Sequence, residues 1–385
     1  MTASVDPAAL AVRLIQCPSV TPADAGALGV LQAVLEELGF RCERLPFGEG
    51  GERVDNLWAR LGTGAPHFCF AGHTDVVPPG DEAQWAAPPF EGRIAEGVLH
   101  GRGAVDMKGA VAAFAAAVSR YLRGHGAPQG TISLLITGDE EGASINGTVR
   151  VLEVLRERGE TPDHCLVGEP TNPESMGTTV KIGRRGSLGG WLIVRGKQGH
   201  VAYPERADNP IPRLAALIAR LSDHVLDEGT EHFQPSNLEF STVDVGNPAA
   251  NVIPGEAHAI FNIRFNTEHT AASLEEWLRA QCTEFLGPES GWTLLTACSG
   301  EAFLTEPGDF TRLVADAVSD VTGQTPELST TGGTSDARFI RAVCPVAEFG
   351  LVNRTMHRTD EQTPLTDLET LTRVYEAVLT RYFSR

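Results

Sequence analysis

The sequence predicts an α/β protein: a mostly parallel sheet flanked by helices, interrupted by an inserted α+β domain. Three observations carry this expectation. Short apolar runs ending in polar residues alternate with helical patterns up to about residue 181. Longer strands with apolar/polar alternation follow, and helical patterns then resume at 308–322 and 366–383. At 385 residues the chain also exceeds what one hydrophobic core ordinarily serves.

Taken in order, AGALGVLQAVLEELG (25–39), MKGAVAAFAAAVSRYL (107–122) and INGTVRVLEVLRERG (145–159) place apolar residues at helical spacing. HFCFAGH (67–73), TISLLIT (131–137), HCLVGEP (164–170) and VAEFGLV (346–352) are short apolar runs of the kind buried inside a sheet. Alternation of the two implies a largely parallel sheet under helices, in which ligands gather beyond the carboxyl ends of the strands. LGGWLIVRG (188–196), NLEFSTVDVG (237–246) and EAHAIFNIRF (256–265) alternate as half-exposed strands do. PIPRLAALIARLSD (210–223) and TAASLEEWLRAQCTEFL (270–286) are helices between them, and WTLLTAC closes the segment after Gly287 and Pro288. That β-α-β-β-α-β order is ferredoxin-like, an antiparallel sheet with two helices on one face. The expected organisation is residues 1–181 with 298–385, and an insert over 182–297. There is no internal repeat or low-complexity segment.

Charge and cysteine usage exclude several classes of partner. The 31 basic and 50 acidic residues give 31 − 50 = −19, which repels phosphate backbones and anionic lipid. Neither nucleic acid nor membrane is therefore an expected partner. The first residues lack the basic lead and apolar run of a secretory signal, and no apolar stretch is long enough to span a bilayer. Seven scattered cysteines, none spaced CxxC, argue against a disulfide scaffold and a thiolate metal site. The expected compartment is the cytoplasm.

The chemistry concentrates in AGHTDVVPPG (71–80), GRGAVDMKG (101–109) and TGDEEGASINGT (137–148). They supply His73, Asp75, Asp106, Glu140 and Glu141, and burying so many carboxylates is costly unless cations neutralise them. His73 at a strand end with Asp75 two positions on suits a metal ligand with a carboxylate that fixes its tautomer. Asp106 precedes a helical pattern, where it could cap the helix or bridge metals through both oxygens. Adjacent Glu140 and Glu141 allow one to bind metal while the other moves a proton. Glu169 follows another buried strand, and His357 follows a fourth. His200 lies in a Gly-flanked loop of the insert. GRGAVD has Asp106 where a dinucleotide-binding loop has its third glycine, and no phosphate-binding GxxxxGK[ST] occurs. Ser335 in TGGTSD has no implied base, so this segment suits recognition of a carboxylate better than nucleophilic chemistry.

The ordered series GHTDVVPPG, GRGAVDMKGA, TGDEEG, GEPT, GKQGHVAYP, GGTSDARF and MHRTDE resembles the di-zinc aminoacylase and carboxypeptidase family, over roughly residues 15–380. The resemblance implies that Asp106 bridges two Zn2+ ions, with His73 and Glu169 completing one position and Glu141 and His357 the other. It implies Glu140 as general base and acid, Asp75 as the group orienting His73, and Co2+ as a permissible substitute for zinc. It further implies a homodimer formed through the insert, with His200 reaching the partner's site to stabilise an oxyanion. Arg184, Asn251, Arg264, Gly333, Thr334 and Asn353 match positions that hold substrate. Two positions depart from the family's commonest pattern: Gly138 replaces an alanine and Ala337 a glycine, both small for small. The implied activity is hydrolysis of a small N-acyl amino acid. IGRRGS, NVIPGEAHAIFNIRF and TTGGTSDARF favour the succinyl amide of LL-2,6-diaminopimelate, with N-acetylornithine or another N-acyl amino acid as the alternative.

Overall fold

A computed structural model describes residues 4–288 and 291–384. The chain divides into two compact units. One runs to Ile182 and continues through Thr305–Ser329 and from Ser335 onward; the other comprises Gly183–Leu304 and Thr330–Thr334. In chain order the strands of the two main sheets are β1 (Arg41–Arg44), β2 (Leu57–Gly62), β3 (His67–His73), β4 (Thr131–Thr137), β5 (His164–Val167) and β6 (Thr179–Lys181). Next come β7 (Gly186–Arg195), β8 (Asn237–Asp244), β9 (Glu256–Phe265), β10 (Trp292–Gly300), β11 (Glu327–Ser329) and β12 (Val346–Glu348).

The first unit holds an eight-stranded sheet ordered β1-β2-β4-β3-β5-β12-β6-β11. Its centre, β4-β3-β5-β12, is wholly parallel, while β1-β2, β2-β4 and β12-β6 pair antiparallel and β6-β11 parallel. All seven residues of both β3 and β4 are buried, which explains their unbroken apolar sequence. Phe68 and Phe70 of β3 stack on Phe114, with ring centroids 6.2 and 4.1 Å away. Phe114 belongs to helix Lys108–His125, whose residues are all buried from Lys108 to Ser119. A run of alanines lets that helix pack closely while helices Pro7–Ile15 and Leu365–Phe383 cover it.

The outer strands are the part that sequence periodicity does not announce. β1 reads RCER and stays half-exposed at the sheet edge, so it needs no apolar face. Helix Pro7–Ile15 was also not anticipated, although Asp6 caps its Ala8 and Ala9 N–H groups and Pro7 opens it.

In the second unit the sheet runs β8-β9-β7-β10, entirely antiparallel. Helices Pro210–Ser222 and Ala271–Leu286 supply Leu214, Leu217, Leu221, Leu274 and Leu278 to a core with Leu192, Phe261, Ile263 and Phe265. This is the four-strand, two-helix arrangement that the βαββαβ order predicts. Gly186 and Gly190 lie opposite Phe265 and Phe261, whose rings occupy the space a Cβ would take. The expected end of the insert, after residue 297, falls inside β10, and the chain rejoins the first unit only at Thr305. Among the described residues, no helix is long and apolar enough to cross a membrane.

Phe114 is the point where the sheet and its covering helices meet. Phe114→Ala is expected to lower stability by about 3–5 kcal/mol, read as a reduced midpoint in urea unfolding.

Candidate metal centre

Parallel pairing brings the carboxyl ends of the central strands to one edge. His73 stands opposite Thr137 across β3-β4, and Val167 opposite Glu348 across β5-β12. The segments that leave there carry Asp75, Glu140, Glu141, Glu169 and His357, while Asp106 arrives from the loop before helix Lys108–His125.

Asp106 occupies the middle of the cluster. Its Oδ1 is 3.1 Å from His73 Nε2 and its Oδ2 is 3.2 Å from His357 Nε2. Glu169 Oε1 lies 3.7 Å from His73 Nε2, and Glu141 Oε1 lies 2.7 Å from His357 Nε2. Ligand atoms of His73, Asp106 and Glu141 fall within 4.8 Å of one another, as do those of His73, Glu140 and Glu169. Asp106 does not cap the helix; Met107 takes the cap position without a side-chain bond. Both oxygens of the aspartate are thereby free to face the imidazoles.

Asp75 acts through more of itself than its carboxylate. His73 Nδ1 is 2.9 Å from the Asp75 backbone oxygen and 3.6 Å from Oδ1. The two carboxylate oxygens accept the backbone N–H groups of Glu140 and Glu141, at 3.3 and 3.0 Å. One residue therefore fixes the His73 ring and the loop bearing the paired glutamates.

The electrostatics are those of an over-concentrated acid cluster. Burial pushes Asp75 up to about 6. Desolvation, reinforced by the charges of Asp336, Glu141 and Asp106, raises Glu140 well above the usual carboxylate range. Burial and the charges of Asp106 and Glu140 do the same to Glu169. His357 is lifted to about 10 by its hydrogen bonds to Asp106 and Glu141. Burial opposes charge on His73, yet Asp106, Glu169 and Asp75 raise its imidazole well above the ordinary value. Glu169 Oε1 is buried and has no hydrogen-bond partner among the described residues. An ionised oxygen in that setting needs a cation. Mixed imidazole and carboxylate donors, clustered this closely, fit divalent metals.

The remaining expected residues divide between the units. Asn353 opens a short turn in the first unit, its Nδ2 3.5 Å from Pro170 O beside Glu169. In the second unit, buried Arg184 donates to Gly333 O at 2.7 Å, and Thr334 adjoins that glycine. Arg264 is half-buried on β9, opposite Asn237 and Ser187. His200 and Asn251 come together: Gly199–His200 pairs with Val252–Ile253, and Val201 N–H bonds Asn251 O. His200 Nδ1 accepts the Ala202 N–H at 3.0 Å, which leaves Nε2 as the protonated nitrogen of a neutral ring. Ser335 bonds Glu348 Oε1 at 3.0 Å, inside the first unit.

Several supporting residues escaped sequence reasoning. Glu361 is wholly buried and accepts N–H groups of Gly103, Val105 and Asp106. Asp139 accepts from Ile145 and Asn146 N–H, bracing the glutamate loop. Asn172 donates to Gly350 O and so ties the segment after Glu169 to that after β12. Lys108 is fully buried, donates to Cys17 O at 2.8 Å, and is pushed down to about 8 by burial. Asp139 is braced by its own loop, whereas Glu361, Asn172 and Lys108 are set apart from solvated side chains only by partners distant in sequence.

The chain belongs to peptidase family M20/M25/M40, whose sequence pattern matches residues 69–381. It is 60% identical over 381 residues to succinyl-diaminopimelate desuccinylase of Parvibaculum lavamentivorans, spanning 98% of this chain and 96% of that one. The desuccinylase of Caulobacter vibrioides is 57% identical over 385 residues, covering 100% and 98%. Among solved structures, an M20 family metallo-carboxypeptidase of Sulfolobus solfataricus superposes with a TM-score of 0.80 at 16% identity, covering 99% of this chain and all of that one. A dinuclear metal-binding peptidase of the family from Bacillus subtilis gives 0.68 at 16% identity, with 97% and 96% covered. These two likenesses concern the fold.

A divalent cation added to the metal-free protein is expected to raise its thermal midpoint, by about 2.7 kcal/mol of stability at a hundredfold excess over Kd. Asp106→Asn should shrink that gain. Without metal, His357 contributes stability that is present below its ordinary value of 6.5 and lost as pH climbs through about 10. Thermal melts in excess chelator should therefore show a decline over that range, and His357→Ala should flatten it.

Proposed function

We propose that this chain is a metal-dependent amide hydrolase that removes the succinyl group from N-succinyl-LL-2,6-diaminopimelate, giving succinate and LL-2,6-diaminopimelate. The observation that carries the reaction class is Asp106, with an imidazole facing each carboxylate oxygen. The substrate rests on identity of 57–60% along essentially the whole chain to relatives that bear this activity in their names.

Asp106 would hold two divalent ions, His73 and Glu169 joining it at one and Glu141 and His357 at the other. Zinc is the proposed ion, with cobalt as a substitute, since both accept imidazole and carboxylate. Ions so held supply Lewis acidity, polarising an amide carbonyl and acidifying water. Glu140 takes a proton from the attacking water and returns it to the leaving amine. Its raised proton affinity suits a group that must carry that proton between the two steps. Asp75 keeps the His73 ring and the Glu140–Glu141 backbone in place. His200 donates through Nε2 to the developing oxyanion, a role generally worth about 3–4 kcal/mol. Arg184, Asn251, Arg264, Gly333, Thr334 and Asn353 are assigned to the substrate's carboxylates and amide.

We also propose a homodimer, in which His200 serves the partner copy. The second unit leaves apolar Trp191, Val243 and Leu295 at 43%, 59% and 56% exposure on its sheet. A catalytic domain interrupted by an inserted domain that ends at Leu304 rather than at residue 297, and a cytoplasmic location without nucleic-acid or membrane partners, complete the reading.

Glu140→Gln is expected to keep its metal content and lose hydrolysis by several orders of magnitude; near-normal turnover would remove Glu140 from its role. His200→Ala should lower kcat about 10²–10³-fold. Steady-state hydrolysis of succinyl and acetyl substrates, with and without zinc, tests the acyl preference. A preference for N-acetylornithine would overturn the substrate.

A further inference from the structure

Two loops that carry cluster residues are tied to each other by a pair of side chains to which no role has been given. Glu361 lies four residues after His357 and is wholly buried. Its Oε1 accepts Val105 N–H at 2.8 Å and Asp106 N–H at 3.1 Å. Its Oε2 accepts Gly103 N–H at 3.0 Å and Arg102 Nη1 at 2.7 Å. The backbone joins in, Gly101 N–H donating to Glu361 O at 2.9 Å. Arg102 works in the opposite direction. Its Nη1 also donates to Arg358 O at 3.2 Å, next to His357, and its guanidinium lies over the Trp85 ring at 5.2 Å. The clasp thus grips the Asp106 loop through Glu361 and the His357 loop through Arg102. His357 itself sits at φ +60°, a conformation that a non-glycine residue holds only when its surroundings impose it.

We infer that the Arg102–Glu361 pair is a positioning device that sets Asp106 Oδ2 against His357, and so selectively shapes the metal position these two residues share. This rests on the two-metal centre proposed above. A buried ion pair is a poor source of stability because desolvation offsets attraction, so its value lies in geometry. Each Glu361 oxygen faces two N–H donors. An isosteric glutamine must therefore turn its NH2 group toward two donors, whichever way it is placed. The His73–Glu169 side of the cluster has no bond to the clasp among the described residues, and Asp106 Oδ1 meets His73 across the other face of the carboxylate.

The test is calorimetric titration of the metal-stripped full chain with zinc, comparing wild type, Glu361→Gln and Arg102→Lys. Wild type is expected to show two binding events. In Glu361→Gln one event should weaken roughly 10–100-fold while the other stays within about threefold. Arg102→Lys, which keeps the charge but cannot serve Glu361 and Arg358 O together, should weaken the same event by less. It carries the test if circular dichroism shows Glu361→Gln unfolded. Equal weakening of both events, or none, overturns the inference and leaves the two-metal centre standing. Absence of zinc uptake by wild type overturns both.

Discussion

Concentrated negative charge at one sheet edge is the constraint from which the first unit's other features follow. Asp75, Asp106, Glu140, Glu141 and Glu169 converge there with two imidazoles, and three of them are fully or nearly buried. Such a group is held together against its own repulsion only by a rigid frame. The parallel core β4-β3-β5-β12 is that frame: apart from half-buried His164 at the start of β5 it is buried, and it delivers four chain segments to the same edge.

Around the cluster, backbone N–H groups do much of the neutralising. Asp75 takes those of Glu140 and Glu141, Asp139 those of Ile145 and Asn146, and Glu361 those of Gly103, Val105 and Asp106. A carboxylate that accepts main-chain N–H groups keeps fewer lone pairs for another partner than one that accepts none. The structure thus sorts its acids into two groups, one spent on loop conformation and one turned toward the cluster. Glu169 Oε1 lies in the second group, buried beside His73 and bonded to nothing among the described residues. The raised proton affinities of Glu140 and Glu169 are the same repulsion seen from another side.

The second unit obeys a different economy. Its sheet has helices against one face, so β9 alternates buried and half-exposed residues without interruption from Ala257 to Phe265. His258, Asn262 and Arg264 take half-exposed positions of β9. Arg184 reaches Gly333 O, and His200 is held with Nδ1 as acceptor.

Read alone, the sequence was sufficient for the central strands, the major helices, the βαββαβ order and the acid cluster. All of these are written in local periodicity or in side chains placed directly after apolar runs. β3, β4 and β9 were legible to the residue because burial on one or both faces dictates their composition. β1 and helix Pro7–Ile15 were not, since an edge strand and a short capped helix need little apolar patterning. Tertiary structure alone decided the path by which the chain rejoins the first unit, the placement of Asp106 between two imidazoles rather than at the helix cap, and the burial of Glu361, Arg102 and Lys108. The reason is that a polar side chain acquires its role from partners: Glu361 meets the Asp106 loop across more than 250 intervening residues, and no local pattern records such a meeting.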